Sequence, residues 1–312
     1  MGAVLVMTDH DDHTSDLIVA AIARRGVQVV RLDPGAGPLW ADVHLAPSGR
    51  WTGVVGDEHR AVRLEEVGSV LWRWPGRPAG HPAIADPAAR AWAAREDDLG
   101  ILGVIKTLPV RWVNHPDRVA AAGKPHQLTT AAACGLVVPP TLITTRGQAA
   151  RSWAAGRDVL YKAFHAQGAD EDAMVTAGRV DAAALPGELG AASLFQEIVP
   201  GVPVRLTVIG PHMFAVEITG SRHLDWRPEQ DKLTFTPVDV PEHVERGVRR
   251  FLGAYGLEYG AFDFIIRDPD GRWVFLEINP SGMYGFVELQ SGLPITAAFA
   301  DHLCESVDRT RP

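Results

Sequence analysis

A carboxylate and an amide stand two residues apart in an apolar run near the C-terminus, "WVFLEINPSGMY". Such a run predicts a buried strand, and because side chains alternate along a strand, Glu277 and Asn279 point to the same face. An ionised carboxylate among apolar neighbours is costly unless an opposite charge meets it. The sequence therefore predicts a cation beside Glu277.

A hairpin brings a second carboxylate to this face. The sequence "DPDG" is a turn signal between this run and the preceding "GAFDFIIR". A three-residue loop that ends at Gly271, in the left-handed conformation, would pair Asp268 with Arg272. The same register places Asp263 opposite Glu277. Together with the amide two residues further on, three oxygen donors would share one face, which suits Mg²⁺ bound with substrate phosphates.

The same pattern has a purely structural interpretation. Glu277 would pair with a structural arginine, and Asn279 would cap the turn at Pro280. The geometry of the hairpin alone is compatible with both interpretations.

Two lysines favour the phosphate interpretation. Lys162 lies in the apolar run "DVLYKAF", where an unpaired ammonium is costly, and Lys124 lies near the start of a predicted helix. Alternatively, Lys124 is a solvated surface lysine and Lys162 extends to solvent from a strand end. A polyphosphate with Mg²⁺ would satisfy both lysines and the carboxylate face at once.

The elements before these residues predict an α/β unit. "AVLVM", "LIVAAIARRG" and "VQVVRLD" read as strand, helix and strand, which indicates a parallel sheet. The alternating runs between Pro34 and Val70 predict a β-hairpin insertion, and "AARAWAAREDDLGILGVIKTL" predicts a helix. We expect this first domain to cover residues 1–111.

Two further units are predicted. A helix from Lys124 to Cys134, the Lys162 strand and "SLFQEIVPG" form a central unit, 112–195. Two strands joined at Gly210, a helix that stops at Gly256 and the carboxylate hairpin form a third, 196–312.

Composition excludes several classes of function. The chain has 312 residues, which predicts two or three domains, and a formal net charge of -8, which argues against nucleic acid or an anionic membrane as the main partner. The two cysteines form no motif, so a reducing compartment is expected. No signal peptide and no membrane span is recognisable, and a cytoplasmic location is expected.

The order of these residues resembles that of ATP-grasp ligases over most of the chain from Asn114 to Tyr284. The resemblance implies three subdomains of α/β and α+β class: an N-terminal pre-ATP-grasp domain, a central domain and a C-terminal domain, with ATP between two sheets. The matching elements in chain order are Lys124, Lys162, a polar loop around Gly168, Gln196, Glu197, Ile198 and Val199 ("QEIV"), Arg205, Asp263, Glu277 and Asn279.

The resemblance also implies a role for each element. The two lysines would bind ATP phosphates, the "QEIV" segment would hold the adenine, and the carboxylate face would bind Mg²⁺. Arg205 would face the transferred phosphate or an acyl phosphate. The segment around it, "GVPVRLTV", lacks the acidic residue that many relatives carry shortly before this arginine. The loop with Gly168 is only a weak match to a phosphate-binding loop.

The chain is more narrowly similar to the ATP-grasp maturases of ribosomal peptides, the graspetide or microviridin-type macrocyclases. Their features include "LWRWP" (Arg73), "NHPDRVAAAGKPHQL", "GLVVPPTLITT", "VRLTVIG" and "LDWR". The likeness implies ω-ester or ω-amide ring formation on a precursor peptide with a leader and an acidic core, and a homodimer. It places Arg73, Asp225, Trp226 and Arg227 at the substrate, with Asp225 and Arg227 also acting in catalysis.

Other interpretations stay open. "LDWR" as a surface ion pair with a packing tryptophan is the commoner meaning of such a triplet. An ATP-grasp ligase that adds an amino acid to a small acid or a protein tail fits the same motifs. So does an ATP-binding regulatory protein without catalysis, although its site would not need every ligand intact. The sequence leaves ester or amide linkage, ring pattern and leader motif undetermined.

Overall fold

The computed structural model describes residues 2–164, 177–221 and 232–308, and the strands of these residues form four sheets. No helix in the described ranges is both long and apolar enough to cross a membrane.

The N-terminal unit, residues 2–113, is built on a parallel sheet. Its strand order is β2-β1-β6-β7, and every residue of the central strand β1 is buried. The elements are β1 (Ala3–Met7), α1 (His13–Arg24), β2 (Gln28–Leu32), β6 (Val67–Trp72), α2 (Pro87–Asp97), α3 (Gly103–Lys106) and β7 (Arg111–Val113). The parallel sheet expected from the strand–helix–strand pattern is confirmed.

The predicted insertion between the second and third strands of this sheet is also confirmed. It is an antiparallel three-stranded sheet made of β3 (Trp40–Leu45), β4 (Trp51–Gly56) and β5 (Ala61–Arg63).

The central unit, residues 141–197, is a small antiparallel sheet with strand order β10-β9-β11-β8, and its described part contains one α-helix. Its elements are β8 (Thr141–Arg146), α6 (Gly147–Ala154), β9 (Val159–Lys162), β10 (Gly178–Arg179) and β11 (Glu188–Glu197). Its buried residues form a hydrophobic cluster of their own around Ala150, Val159 and Phe195.

The C-terminal unit, residues 201–308, is a five-stranded antiparallel sheet with helices on both faces. The strand order is β14-β13-β12-β15-β16. The elements are β12 (Gly201–Ile209), β13 (His212–Thr219), β14 (Thr234–Pro237), α7 (Glu242–Tyr255), β15 (Tyr259–Arg267), β16 (Trp273–Asn279), α8 (Gly285–Ser291) and α9 (Ile295–Asp308). Helix α7 ends at Gly256, as predicted, where φ is +64°.

Two short helices of the linker, residues 114–140 between the N-terminal and central units, pack against the C-terminal unit. They are α4 (Pro116–Ala121) and α5 (Lys124–Ala133). Both contact α7, and α5 also contacts β16, so the described linker helices are covered by the C-terminal unit rather than the central one. The opposite face of the sheet shares a core with the N-terminal unit, where α9 packs against α1 and β6.

The expected domain limits differ from the strand ends. Arg111 begins β7, which is hydrogen-bonded into the first sheet, so that sheet extends to Val113. Phe195 lies inside β11, which extends to Glu197. Turn residues mark where the chain changes direction, whereas hydrogen-bond partners decide where a sheet ends, and these partners are distant in sequence.

Candidate active site

The carboxylate hairpin is formed by β15 and β16, and its register places Asp263 opposite Glu277, as predicted. The predicted loop is wrong by one residue. The Arg267 amide donates to the Arg272 carbonyl at 2.9 Å, so Arg267 and not Asp268 lies opposite Arg272. Gly271 has the expected left-handed conformation, with φ at +67°.

A β-bulge compensates for this shift. Phe264 pairs with Phe275, whereas Asp263 pairs with Glu277, so Leu276 is the extra residue on β16. Without the bulge, the observed turn would have placed Asp263 opposite Leu276. The bulge therefore aligns the two carboxylates.

Arg205 on β12 extends the row to a third strand. It lies opposite Asp263 in the ladder between β12 and β15. Its Nη1 donates to Asp263 Oδ1 at 2.9 Å, and its Nη2 donates to the Met283 carbonyl at 3.2 Å. The arginine and both carboxylates thus occupy adjacent strands of one sheet.

A positive charge was predicted beside Glu277, and Lys124 supplies one. Its Nζ lies 3.6 Å from Glu277 Oε2 and donates to the Ala163 carbonyl at 2.5 Å. Lys124 begins α5, and Ala163 directly follows β9. The lysine therefore links the carboxylate face of the C-terminal unit to the strand that carries Lys162.

A cleft lies between the central sheet and the C-terminal sheet. Its volume is about 700 Å³, including the part open to solvent. It brings together seven of the predicted residues: Lys162, Gln196, Glu197, Ile198, Val199, Asp263 and Glu277. Apolar walls come from both sheets, Leu160 on one side and Val204 and Leu276 on the other.

The segment predicted to hold adenine forms one edge of this cleft. The amides of Glu197 and Ile198 donate to the carbonyls of Pro140 and Asp158, at 3.0 and 2.8 Å. Within the described chain, the Val199 amide has no acceptor. Of the predicted adenine-binding residues Glu197, Ile198 and Val199, the last is therefore the one whose amide is left for a ligand, and its role stays a prediction.

The donor set of the carboxylate face suits Mg²⁺. In the described ranges, no group of three His, Cys, Asp or Glu side chains is arranged to hold a metal ion. Asp263, Glu277 and Asn279 instead offer two carboxylates and an amide, which is a set that Mg²⁺ completes with phosphate oxygens and water. Among the described residues, the buried Arg205 Nε also has no hydrogen-bond partner, which is consistent with a further polar group binding in this region.

Arg73 is buried beside the loop that follows Asn279. The resemblance places Arg73 at the substrate, and in the structure the residue is only 1% exposed. Its Nε donates to Asp12 Oδ2 at 2.8 Å and its Nη1 to the Gly282 carbonyl at 3.1 Å. The guanidinium is thus enclosed by protein groups, and its predicted role at the substrate stays a prediction.

Four predicted residues fall outside the described ranges: Gly168, Asp225, Trp226 and Arg227. Their roles stay predictions.

Two buried residues near the site escaped sequence reasoning. Asn114 donates from Nδ2 to the Pro280 carbonyl at 2.8 Å, and the Tyr259 hydroxyl donates to the Gly282 carbonyl at 2.6 Å. Asn114 stands in "NHP", which reads as an ordinary turn, and Tyr259 reads as a core aromatic. Neither carries a signal that could have indicated its role.

Comparison with known proteins gives structural neighbours only. No family model and no curated protein matches the sequence. Among solved structures, the macrocyclase MdnC from Microcystis aeruginosa MRC, bound with precursor peptide MdnA, is similar with a TM-score of 0.83 and 28% identity. The match covers 98% of this chain and 100% of MdnC.

Two further structures show the same similarity. The macrocyclase MdnB, from the same organism, matches with a TM-score of 0.75 and 26% identity, over 97% of this chain and 99% of MdnB. A RiPP-associated ATP-grasp ligase from Chryseobacterium gregarium, in complex with ADP and a leader and core peptide, matches with a TM-score of 0.86 and 24% identity, over 98% and 97% of the two chains. The chain therefore has the ATP-grasp fold, and its likeness to the ATP-grasp maturases of ribosomal peptides is confirmed.

Proposed function

We propose that this protein is an ATP-dependent ligase that joins Asp or Glu side chains of a ribosomal precursor peptide to hydroxyl or amine side chains of the same peptide, closing macrocycles. The observation that carries the proposal is the row of Arg205, Asp263 and Glu277 on three adjacent strands. The two carboxylates of this row line a cleft that Lys162 also lines. The fold around this row is shared along almost the whole chain with a macrocyclase bound with its precursor peptide.

The chemistry follows from the reactivity of a carboxylate, which an alcohol or amine does not attack until one oxygen becomes a leaving group. Transfer of the γ-phosphoryl group of ATP to the carboxylate gives an acyl phosphate and ADP. The hydroxyl or amine then attacks the acyl carbon, loses its proton and expels phosphate. Each ring therefore removes one water from the peptide and converts one ATP to ADP and phosphate.

The residues of the cleft have separate tasks in this scheme. Lys124 and Lys162 bind phosphate oxygens, and the Val199 amide with the apolar walls holds the base. Asp263, Glu277 and Asn279 hold Mg²⁺, which when bound offsets the phosphate charge. Holding the reacting groups in place and stabilising charge supply most of the acceleration in such transfers.

Arg205 is suited to the charge that develops during transfer. Nη1 and Nη2 each use one N–H, on Asp263 and on the Met283 carbonyl. A guanidinium carries five N–H donors, so others remain for the oxygens of the transferred phosphoryl group. Its fixed orientation means that it is in place before the reaction begins.

A homodimer and a cytoplasmic location are part of the proposal. The homodimer rests on the resemblance alone, and the location rests on the sequence composition.

The activity can be tested with purified protein, ATP and Mg²⁺, and short peptides encoded beside its gene as candidate precursors. We expect ADP to form only when the matching peptide is present, and mass spectrometry to show the loss of one water for each ring. ADP formation with free amino acids and no peptide would indicate the amino-acid ligase instead. No ADP with any acceptor would favour an ATP-binding protein without catalysis.

Lys162→Met is expected to weaken nucleotide binding much more than it weakens the fold. At ATP concentrations near a hundred times the dissociation constant, binding stabilises a protein by about 2.7 kcal/mol. A variant that binds ATP about a hundredfold more weakly would lose most of this stabilisation, so the ATP-induced rise in melting temperature should nearly disappear.

Lys106→Met is the matched control, because Lys106 lies over the Trp72 ring in the N-terminal unit, away from the cleft lining. Equal ATP-induced shifts in the two variants and the wild type would contradict a phosphate role for Lys162.

A further inference from the structure

The loop of residues 280–284, which follows Asn279 at the end of β16, is held by side chains from other parts of the chain. The carbonyls of three of its residues accept hydrogen bonds from these side chains. Pro280 accepts from Asn114, Gly282 from Arg73 and Tyr259, and Met283 from Arg205.

Two of these donors come from the N-terminal unit. Arg73 directly follows β6, and Asn114 directly follows β7. Because β6 and β7 are neighbouring parallel strands, both donors leave the sheet at the same edge. The carboxyl edge of the first sheet therefore forms a support for the loop beside the predicted metal site.

Arg73 is itself fixed by Asp12. The Asp12 carboxylate accepts from Arg73 Nε at 2.8 Å and from the hydroxyls of Thr8, at 2.8 Å, and Ser15. Burial raises the pKa of Asp12, but the hydrogen bond and charge of Arg73, with the two hydroxyls, outweigh it and lower the pKa to about 2. The pair is therefore ionised at neutral pH, and Thr8, Ser15 and the Gly282 carbonyl fix its geometry.

The loop lies directly against two residues of the site. A Cβ on Gly282 would lie 3.0 Å from Arg205 Nη2 and 3.3 Å from the Asn279 Cβ. The space beside the Gly282 backbone is therefore filled by these side chains, and the conformation of the loop and the positions of Arg205 and Asn279 depend on each other.

We propose that Arg73 is a positioning residue of the active site. By bridging the Asp12 carboxylate and the Gly282 carbonyl, it fixes the 280–284 loop, so that Asn279 and Arg205 are placed for Mg²⁺ and nucleotide. The proposal rests on the proposed function, because it takes the carboxylate face to be the Mg²⁺ site. It gives the N-terminal unit a part in metal binding without a ligand of its own.

Arg73→Lys tests it. Lysine keeps the charge beside Asp12 but cannot donate in a fork to Asp12 and to the Gly282 carbonyl together. We expect the Mg²⁺ concentration at half-maximal ADP-dependent thermal stabilisation to rise at least tenfold. The weaker stabilisation by ADP without Mg²⁺ should stay as in the wild type, since the lysines of the cleft are untouched.

Arg111→Lys is the matched control. Arg111 also belongs to the N-terminal unit and also donates to a carbonyl and a carboxylate of the C-terminal unit, those of His302 and Glu305 in α9. It therefore links the same two units without touching the loop. A merely structural link should lower the melting temperature in both variants and leave the Mg²⁺ midpoint unchanged in both.

Tyr259→Phe is a milder second variant. It removes the hydroxyl that donates to Gly282 and keeps the ring that packs against Phe299. We expect a shift of the Mg²⁺ midpoint in the same direction, about two- to fivefold. This variant decides the question if Arg73→Lys does not fold.

The outcomes separate the two proposals. If the wild type responds to Mg²⁺ with ADP, and the Arg73 and Tyr259 variants titrate as the Arg111 variant does, the positioning role is wrong and the proposed function stands. If the wild type shows no Mg²⁺-dependent response to ADP, the metal site fails, and the positioning role fails with it.

Discussion

Glu277→Gln is expected to keep the fold and to lower peptide-dependent ADP production by about a hundredfold or more, as expected for a charge that acts in the transition state. Glutamine keeps the size of the side chain and removes the negative charge that faces Lys124 and the cleft. A site that binds Mg²⁺ through two carboxylates would lose half of its formal charge.

The measurement is the rate of ADP release at saturating peptide, with the melting temperature as a check on folding. Glu242→Gln is the control, since Glu242 is an exposed carboxylate on α7 that also forms an ion pair, with Arg246. Near-normal ADP production by the Glu277 variant would refute the metal assignment and restore the structural interpretation of this carboxylate.

Arg205→Lys is expected to bind ATP but to lose about a hundredfold or more in the rate of ligation. The arginine reaches Asp263 and the Met283 carbonyl from two nitrogens of one plane. A lysine ammonium is a single point charge and cannot make both contacts while also facing a phosphoryl oxygen. The loss should therefore be in the rate at saturating ATP rather than in ATP affinity.

Single-turnover measurements at saturating ATP, beside thermal shifts with ATP, separate these two effects. Arg118→Lys is a suitable control, because Arg118 donates to the Gly256 carbonyl on the surface of the C-terminal unit. A wild-type ligation rate in the Arg205 variant would leave this residue only a structural partner of Asp263.

Local patterns predicted the site well where the partners are close in sequence. Asp263 and Glu277 are joined by one hairpin, so a turn signal and strand alternation were enough to align them. The predicted turn was nevertheless wrong by one residue, and the bulge at Leu276 restores the alignment. Nothing in "VFLEIN" announces that bulge, because it depends on how the two strands pack.

Long-range partners could not be predicted by the same means. Lys124 and Glu277 meet across 153 positions, and Arg73 and Asp12 across 61. An arginine at a strand end has the same local sequence whether it binds a peptide or a buried carboxylate. Only the fold supplies Asp12 and the Gly282 carbonyl as its neighbours, whereas the substrate role of Arg73 was predicted from the resemblance of "LWRWP" alone.

The shared core between the first and last units has a mechanical consequence. Residues of β1, α1, β13 and α9 belong to one hydrophobic cluster, whereas the central sheet has a separate one. The cleft is therefore bounded on one side by a unit that shares its core with the N-terminal unit, and on the other by a smaller unit with a core of its own. Such an arrangement suits hinge closure. Entry of nucleotide and exit of product are expected to depend on hinge motion of the central sheet about its two connections to the rest of the chain, next to Thr141 and Glu197. The half of the cleft that carries the carboxylates would stay still throughout the cycle.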